Sequence, residues 1–249
     1  MNFEGKVLFV TGGGSGIGAA TARRYASGGG RVAVVDLDPS TANEIAAEID
    51  GAIGLGCDVA DEESVRAAVE TTREQLGSID GVLNAGGHAE FGPIEKWTLE
   101  NWNRMMAVHA GGTFLVCKYV LPMMRDQGGG SIVNIASAAA LVANNNNAPY
   151  GAAKAAIIGF SRQIAREGAP TVRVNAVAPG RTLTGMTEPL LAGRGASPEE
   201  GAKQFGMANM QQRMAEADEL AAPICFLLSD DASFITGTVL VVDGGETAM

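Results

Sequence analysis

Short apolar runs alternate with amphipathic stretches from one end of the chain to the other. The strand-like runs are Val7–Val10, Arg31–Val35, Ala52–Cys57, Gly81–Leu83, Ser131–Ile135, Val172–Ala178 and Val239–Val242. Between them lie helix-like stretches at Gly16–Ser27, Thr41–Ile49, Glu62–Leu76, Trp102–Arg125, Tyr150–Glu167 and Glu216–Leu228. Several of the runs are apolar at nearly every position, as strands covered on both faces are. Strands regularly interleaved with helices imply right-handed βαβ connections. The expected fold is α/β: a doubly wound, seven-stranded parallel sheet with helices on both faces.

No low-complexity linker or break in composition interrupts this alternation, so residues 1–249 are expected to form a single domain. One long irregular interval, residues 180–215, holds Gly, Pro and Ser together with Leu190, Leu191, Phe205 and four methionines. A segment of that length between a strand and a helix is either a surface excursion or a binding lid, here over residues 182–215.

Composition narrows the function classes. At 46% hydrophobic the chain can fill a sizeable core, and its 34 glycines suit helices packed closely on a sheet. The net charge is −10 and no basic cluster exceeds the pair Arg23-Arg24, so the footprint of a nucleic-acid binder is missing. No run of 18 or more apolar residues suggests a membrane span, and the start of the chain shows no signal-peptide pattern. Cys57, Cys117 and Cys225 lie far apart and form no metal or redox motif. A cytoplasmic protein without a metal centre is expected.

Two stretches carry candidate chemistry. "VLFVTGGGSGIG" runs from strand through glycine-rich turn to helix, with Gly12, Gly16 and Gly18 spaced differently from the commonest G-x-G-x-x-G fingerprint. Glycines let backbone approach a pyrophosphate, whose charge meets the N–H groups at the helix start. Asp36 ends the second strand about twenty residues later, where a carboxylate bonds ribose hydroxyls and repels a 2′-phosphate. NAD is thus favoured over NADP, although Asp36 could instead cap the next helix. Further on, Tyr150 and Lys154 stand four apart on one helix face, after Ser137 at the end of a strand. An ammonium ion about 4 Å from a phenolate would stabilise it by roughly 4 kcal/mol at an effective dielectric of 20, bringing a tyrosine towards neutral operation. Alone, Y-x-x-x-K often arises by chance.

Together these features resemble the short-chain dehydrogenase/reductase family over nearly the whole chain. "TGGGSGIG" resembles its glycine motif, "CDV" at 57–59 its adenine-contacting strand end, and "LNAGG" at 83–87 its Asn-Ala-Gly motif. "YGAAK" follows Ser137 at the family's usual interval, "RVNAVAPGRTLTGM" resembles its Pro-Gly segment, and "VDGG" at 242–245 its last strand. The resemblance implies a Rossmann-like sheet binding NAD(P) across its carboxyl edge. Tyr150 would be the general acid/base, Ser137 would position the substrate oxygen, and Lys154 would hold the nicotinamide ribose. Gly12, Ser15, Gly16, Ile17, Gly18, Asp36 and Leu37 would bind the cofactor at one end. Asp58 and Val59 would meet the adenine, Asn84, Ala85 and Gly86 its ribose, and Pro179, Gly180, Thr182 and Thr184 the nicotinamide amide and the pyrophosphate. Family members are usually homotetramers built through two long helices and the last strand.

One position departs from the pattern. "VHAGGTF" places His109 where the family has a catalytic asparagine, so His109 is a packing substitution, a titratable relay member or a sign of impaired catalysis. His88, after "NAGG", is either a substrate contact or a loop histidine. Among the four asparagines Asn144–Asn147, Asn145 and Asn147 could bind a polar substrate, or the run could be a solvated loop. Met186, Leu190, Leu191, Phe205, Met207 and Met210 suggest a partly apolar cavity under the lid, with Met186 a substrate contact. Arg181 could pair with an anionic substrate group or the cofactor phosphates, or be solvated. The preferred function is an NAD-dependent oxidoreductase of secondary alcohols or ketones. The alternatives are a 3-oxoacyl-thioester (acyl-carrier-protein) reductase, which would want NADP and a basic patch, and a non-catalytic dinucleotide sensor.

Overall fold

The computed structural model describes residues 1–191 and 197–249. Seven strands form one sheet: β1 (Val7–Thr11), β2 (Arg31–Asp36), β3 (Ile53–Gly56), β4 (Gly81–Asn84), β5 (Gly130–Ile135), β6 (Val172–Pro179) and β7 (Val239–Val242). Every pairing is parallel and the order is β3-β2-β1-β4-β5-β6-β7. The fold is Rossmann-like, as the interleaved pattern predicts. The chain steps outward from β1 to β3, then crosses back to lay β4 on the other side of β1. That reversal opens a crevice beyond the carboxyl ends of β1 and β4, where open α/β sheets bind ligands.

Helices cover both faces because β1, β2, β4 and β5 are buried almost throughout. On one side α1 (Gly16–Ser27), α2 (Pro39–Ala47) and α9 (Ala217–Leu228) pack Tyr25, Ile45, Leu220 and Ile224 against Leu8, Val10 and Val32. On the other, α3 (Glu62–Leu76), α5 (Gly112–Asp126) and α6 (Ala148–Gly168) pack Val65, Val69, Val116, Val120 and Ile164 against Val7, Phe9 and Ile132. Each such side chain contributes about 1.5–3 kcal/mol by leaving water. Among the described residues no helix is long and apolar enough to cross a membrane.

The structure refines several boundaries. Helix α2 starts earlier than its periodicity suggests, because Asp38 caps it by accepting from the Ser40 N–H at 2.8 Å. The capping role open to Asp36 thus falls to Asp38. The helix expected over 102–125 begins as α4 (Leu99–Met106), capped by Thr98, widens into a π-turn at Ala107–Gly111 and continues as α5. The interval expected to be irregular holds two short helices, α7 (Glu188–Leu191) and α8 (Pro198–Gly206), the second capped by Ser197. Residues 192–196 of the expected lid lie outside the described residues. The base of this excursion is pinned where the Leu183 N–H donates to the Ala215 carbonyl at 2.8 Å and the Ala215 N–H to the Arg181 carbonyl at 2.9 Å.

A buried polar chain crosses the sheet beneath the crevice. Asn84 Nδ2 donates to Asn134 Oδ1 at 2.8 Å, Asn134 Nδ2 to Ser161 Oγ at 2.9 Å, and the Ser161 hydroxyl to the Ile157 carbonyl at 2.7 Å. It ties β4 and β5 to α6, the helix carrying Tyr150. Replacing Asn134 with alanine removes both of its side-chain bonds, leaving Asn84 Nδ2 only a 3.6 Å contact to Cys117 Sγ and Ser161 only its bond to the Ile157 carbonyl. Asn134→Ala is therefore expected to lower the unfolding free energy by about 1–3 kcal/mol in urea titrations.

Candidate active site

At one end of the crevice the turn after β1 meets the turn after β4, backbone against backbone. Gly12 has φ +62°, and a Cβ there would lie 2.8 Å from the Ala85 carbonyl group. Only glycine satisfies both the conformation and the approach. Helix α1 then begins with no acidic residue in its first turn, and the Ser15 side chain does not cap it. Its N-terminal N–H groups and dipole therefore suit an anion. At the end of β2, Asp36 Oδ2 accepts from the Gly14 N–H at 2.9 Å, so this carboxylate also fastens the glycine turn. Asp58 and Val59 follow β3, and Val59 packs against Gly112 at the start of α5, where an added Cβ would lie 2.9 Å from it.

These groups and the catalytic candidates line one cleft of about 310 Å³. Gly12, Ser15, Gly16, Ile17, Gly18, Asp36, Leu37, Asp58, Val59, Ala85 and Gly86 line it at the glycine end. Ser137, Tyr150, Lys154, Pro179, Gly180, Thr182, Met186 and His88 line it further on, and Thr184 lines it beside Gly16. A cradle of small residues with an acid at one end fits a dinucleotide. Asn84 is the exception among the expected cofactor residues. Its side chain is spent inside the sheet on Asn134 and does not line the cleft. Gly87, Arg104, Val108 and Thr187 also line it, though the motifs did not single them out. Arg104 and Val108 stand one helical turn apart on the helix leading to His109, a spacing that pointed to a shared face.

Ser137 follows β5 and accepts the Ala139 N–H at 3.2 Å through its hydroxyl oxygen. Tyr150 and Lys154 occupy the first turns of α6, and Lys154 Nζ donates to the Ile135 carbonyl at 2.8 Å. Nζ lies 5.7 Å from the centre of the Tyr150 ring. Burial pushes the tyrosine above its ordinary pKa, with a hydrogen bond to Ser137 acting in the opposite direction. Burial also pulls Lys154 down to about 7. The fall in the Tyr150 pKa expected from that spacing is therefore not met: burial moves the phenol up, and it is the hydrogen bond to Ser137 that opposes it.

Several expected substrate residues turn out to shape backbone instead. Asn145 and Asn147 do not line the cleft. Asn146 takes the left-handed conformation at φ +60°, its carbonyl accepts from the Gly92 N–H at 2.9 Å, and the Asn147 carbonyl accepts from the Gly151 N–H at 2.9 Å to start α6. Asparagine tolerates that φ, so the run acts as a turn that launches the catalytic helix. Of the apolar residues expected under the lid, only Met186 lines the cleft, while Met207 and Met210 are exposed. The Phe205 ring lies instead 4.1 Å from the Arg181 guanidinium. Arg181 does not line this cleft: it pairs with Glu246 at 3.3 Å and donates to the Phe205 carbonyl at 2.9 Å, stapling α8 to the C-terminal turn. His109 is buried behind Tyr150, outside the lining, with its ring edge-on to the tyrosine at 5.4 Å. His88 does line the cleft, and burial followed by the nearby Arg104 lowers its pKa. Among the described residues no cluster of His, Cys, Asp or Glu could hold a metal.

Comparison with known proteins gives full-length matches. A protein-family model described as enoyl-(acyl carrier protein) reductase matches residues 12–247. The D-threitol dehydrogenase of Mycolicibacterium smegmatis is 40% identical, the alignment covering 99% of this chain and 95% of that protein. The crystal structure of levodione reductase superposes with a TM-score of 0.91 at 36% identity, covering 99% of both chains. That of an NAD+-bound xylitol dehydrogenase gives 0.90 at 34% identity, covering 98% of this chain and all of the other.

The buried lysine has a consequence for stability. Its folded pKa lies below the unfolded value, so between about pH 7 and 10 the unfolded chain binds the extra proton and stability gains as pH rises. The unfolding free energy of the wild type minus that of Lys154→Met is expected to rise between pH 7 and 9 in matched denaturant titrations.

Proposed function

The chain belongs to the short-chain dehydrogenase/reductase family, and we propose that it is an NAD-dependent oxidoreductase interconverting a small secondary alcohol and its ketone. One observation carries this reading: Ser137, Tyr150 and Lys154 converge at one end of a cleft whose other end holds the glycine turn and Asp36. Bound nicotinamide supplies the hydride acceptor for oxidation and the donor for reduction. The chain's own residues then handle the proton and the orientation. Ser137 holds the substrate oxygen against Tyr150, which takes the hydroxyl proton during oxidation and returns it during reduction. Lys154, fixed by the Ile135 carbonyl, holds the ribose and compensates the phenolate when Tyr150 ionises.

The cofactor assignment follows the cleft. Gly12, Ser15, Gly16, Ile17 and Gly18 receive the pyrophosphate at the start of α1, Asp36 and Leu37 the adenosine ribose, and Asp58 and Val59 the adenine. Ala85 and Gly86 line the path between them, with Pro179, Gly180, Thr182 and Thr184 at the nicotinamide amide and the pyrophosphate. Asp36 supports NAD over NADP, because its carboxylate would repel a 2′-phosphate. For the substrate, the similar proteins named for threitol, xylitol and levodione favour a compact molecule bearing more than one oxygen. His88 and Met186 stand where such a molecule would touch.

The description of the matching family model shares the carrier of the 3-oxoacyl alternative but names reduction of an enoyl double bond rather than of a ketone. That alternative fits the chain less well, since a net charge of −10 offers no basic surface to an acidic carrier. A homotetramer is also part of the proposal. Phe114 on α5 is 48% exposed and meets Phe160 of α6 edge-on at 6.2 Å, an aromatic face on the two long helices that a second copy would cover.

Reduced-nicotinamide absorbance with NAD and NADP, across polyols, cyclic hydroxyketones and 3-hydroxyacyl thioesters, tests the reading. Turnover confined to the thioesters would overturn it in favour of the acyl reductase. Tyr150→Phe is expected to lower kcat by about 10²–10⁴-fold while leaving NAD affinity by calorimetry within about threefold. Unchanged turnover would remove Tyr150 from the chemistry. Asp36→Asn keeps an acceptor for the Gly14 N–H and removes the charge, so the preference for NAD should fall about tenfold or more.

A further inference from the structure

Gly87, the second glycine of "NAGG", and His109, the histidine of "VHAGGTF", meet in space. His109 is 1% exposed, and a Cβ built on Gly87 would lie 2.5 Å from its Cε1 and 2.9 Å from its Nδ1. Gly87 is absent from the positive-φ positions, so its backbone does not call for glycine. What excludes a side chain at 87 is the imidazole. On its other side, His109 Nε2 lies 2.9 Å from the His88 carbonyl oxygen and 3.3 Å from the His88 nitrogen. The shorter contact makes Nε2–H the donor to that carbonyl, an assignment resting on the network. Nδ1 then carries only a lone pair and lies without a partner against Gly87.

The ring is placed to act on the site without entering it. Its edge meets the Tyr150 ring at 5.4 Å and 87°, while Phe91, from the segment that His88 begins, meets that ring at 6.4 Å. The π-turn at Ala107–Gly111 carries His109 inward, and Thr113 Oγ1 donates to the His109 carbonyl at 2.9 Å. We propose that Gly87 and His109 form a matched pair, in which the imidazole fills the space vacated at residue 87 and acts as a positioning residue. It holds the His88 carbonyl through Nε2–H and braces Tyr150 by its edge. Lys154, His88 and Tyr150 are the titratable groups facing it. Burial, followed by Lys154, pushes its pKa to about 2, so it stays neutral in this role.

The catalytic consequence rests on Tyr150 being the acid/base group, whereas the pairing does not. Thermal unfolding of wild type, Gly87→Ala, His109→Asn and the double variant reads the pairing without any substrate. Gly87→Ala alone is expected to lower the melting temperature, or to prevent folding, and the double variant to recover to near His109→Asn. Equal losses from Gly87→Ala in both backgrounds would overturn the pair. Kinetics read the positioning role. His109→Gln keeps a donor, and kcat should stay within about threefold of wild type; His109→Phe keeps a ring without a donor, and kcat should fall about tenfold or more with KM little changed. Equal kcat in the two variants, or a loss confined to KM, would overturn that role. Long-range nitrogen–proton NMR of the two histidines, assigned with His88→Ala, should show His109 as the Nε2–H form from pH 5.5 to 8. Titration of His109 in that range would also overturn it. If the wild type turns over no alcohol or ketone, the proposed function fails while unfolding and NMR still decide the pair.

Discussion

A parallel strand cannot be followed directly by its neighbour; the chain must return over one face of the sheet before the next strand begins. In this protein those returns build outward from β1 to β3 and then switch sides, so β4 lies beside β1 with its connections leaving the other way. The loops beyond these two strands part, and everything chemical gathers in the gap. The glycine turn leaves β1, the Ala85–Gly86 turn leaves β4, and the two touch so closely at Gly12 that no side chain fits between them. The polar chain from Asn84 through Asn134 to Ser161 locks the register of β4 and β5 to the helix that carries Tyr150 and Lys154. The opening and the catalytic helix are thus fixed by one framework.

How much of this could be read in the chain follows from how local each determinant is. Strands such as Val7–Thr11 and Arg31–Asp36 are legible because a buried parallel strand needs an unbroken apolar run. The glycine turn is legible because a tight bend beside a helix start restricts residue type within a few positions. Features set by distant partners are not. Asn146 is a turn residue because its carbonyl meets Gly92, and Arg181 is a staple because Glu246 and Phe205 come to it from later in the chain. The two helices among the described residues of 180–215 and the π-turn before α5 likewise depend on packing that no local period encodes.

The catalytic pair shows the same limit in its electrostatics. Spacing alone puts a cation near a phenol and suggests an acidified tyrosine. Once both are buried, each resists ionising by itself, and Tyr150 moves up while Lys154 moves down. In both residues desolvation sets the direction of the shift, and desolvation is not encoded by spacing along the chain. Their reactivity is a property of the folded cleft.

The contact between Gly92 and Asn146 joins the two loops that flank the substrate end, and it is made by main chain on both sides. A wall held in this way owes its shape to main chain, with Asn146 at φ +60° the position where residue type still matters. The side chains at 91, 144 and 145 take no part in that bond and can change without undoing it. The clasp and the side chains around it are in this sense separately heritable, the first written in main chain and the second free to vary over it.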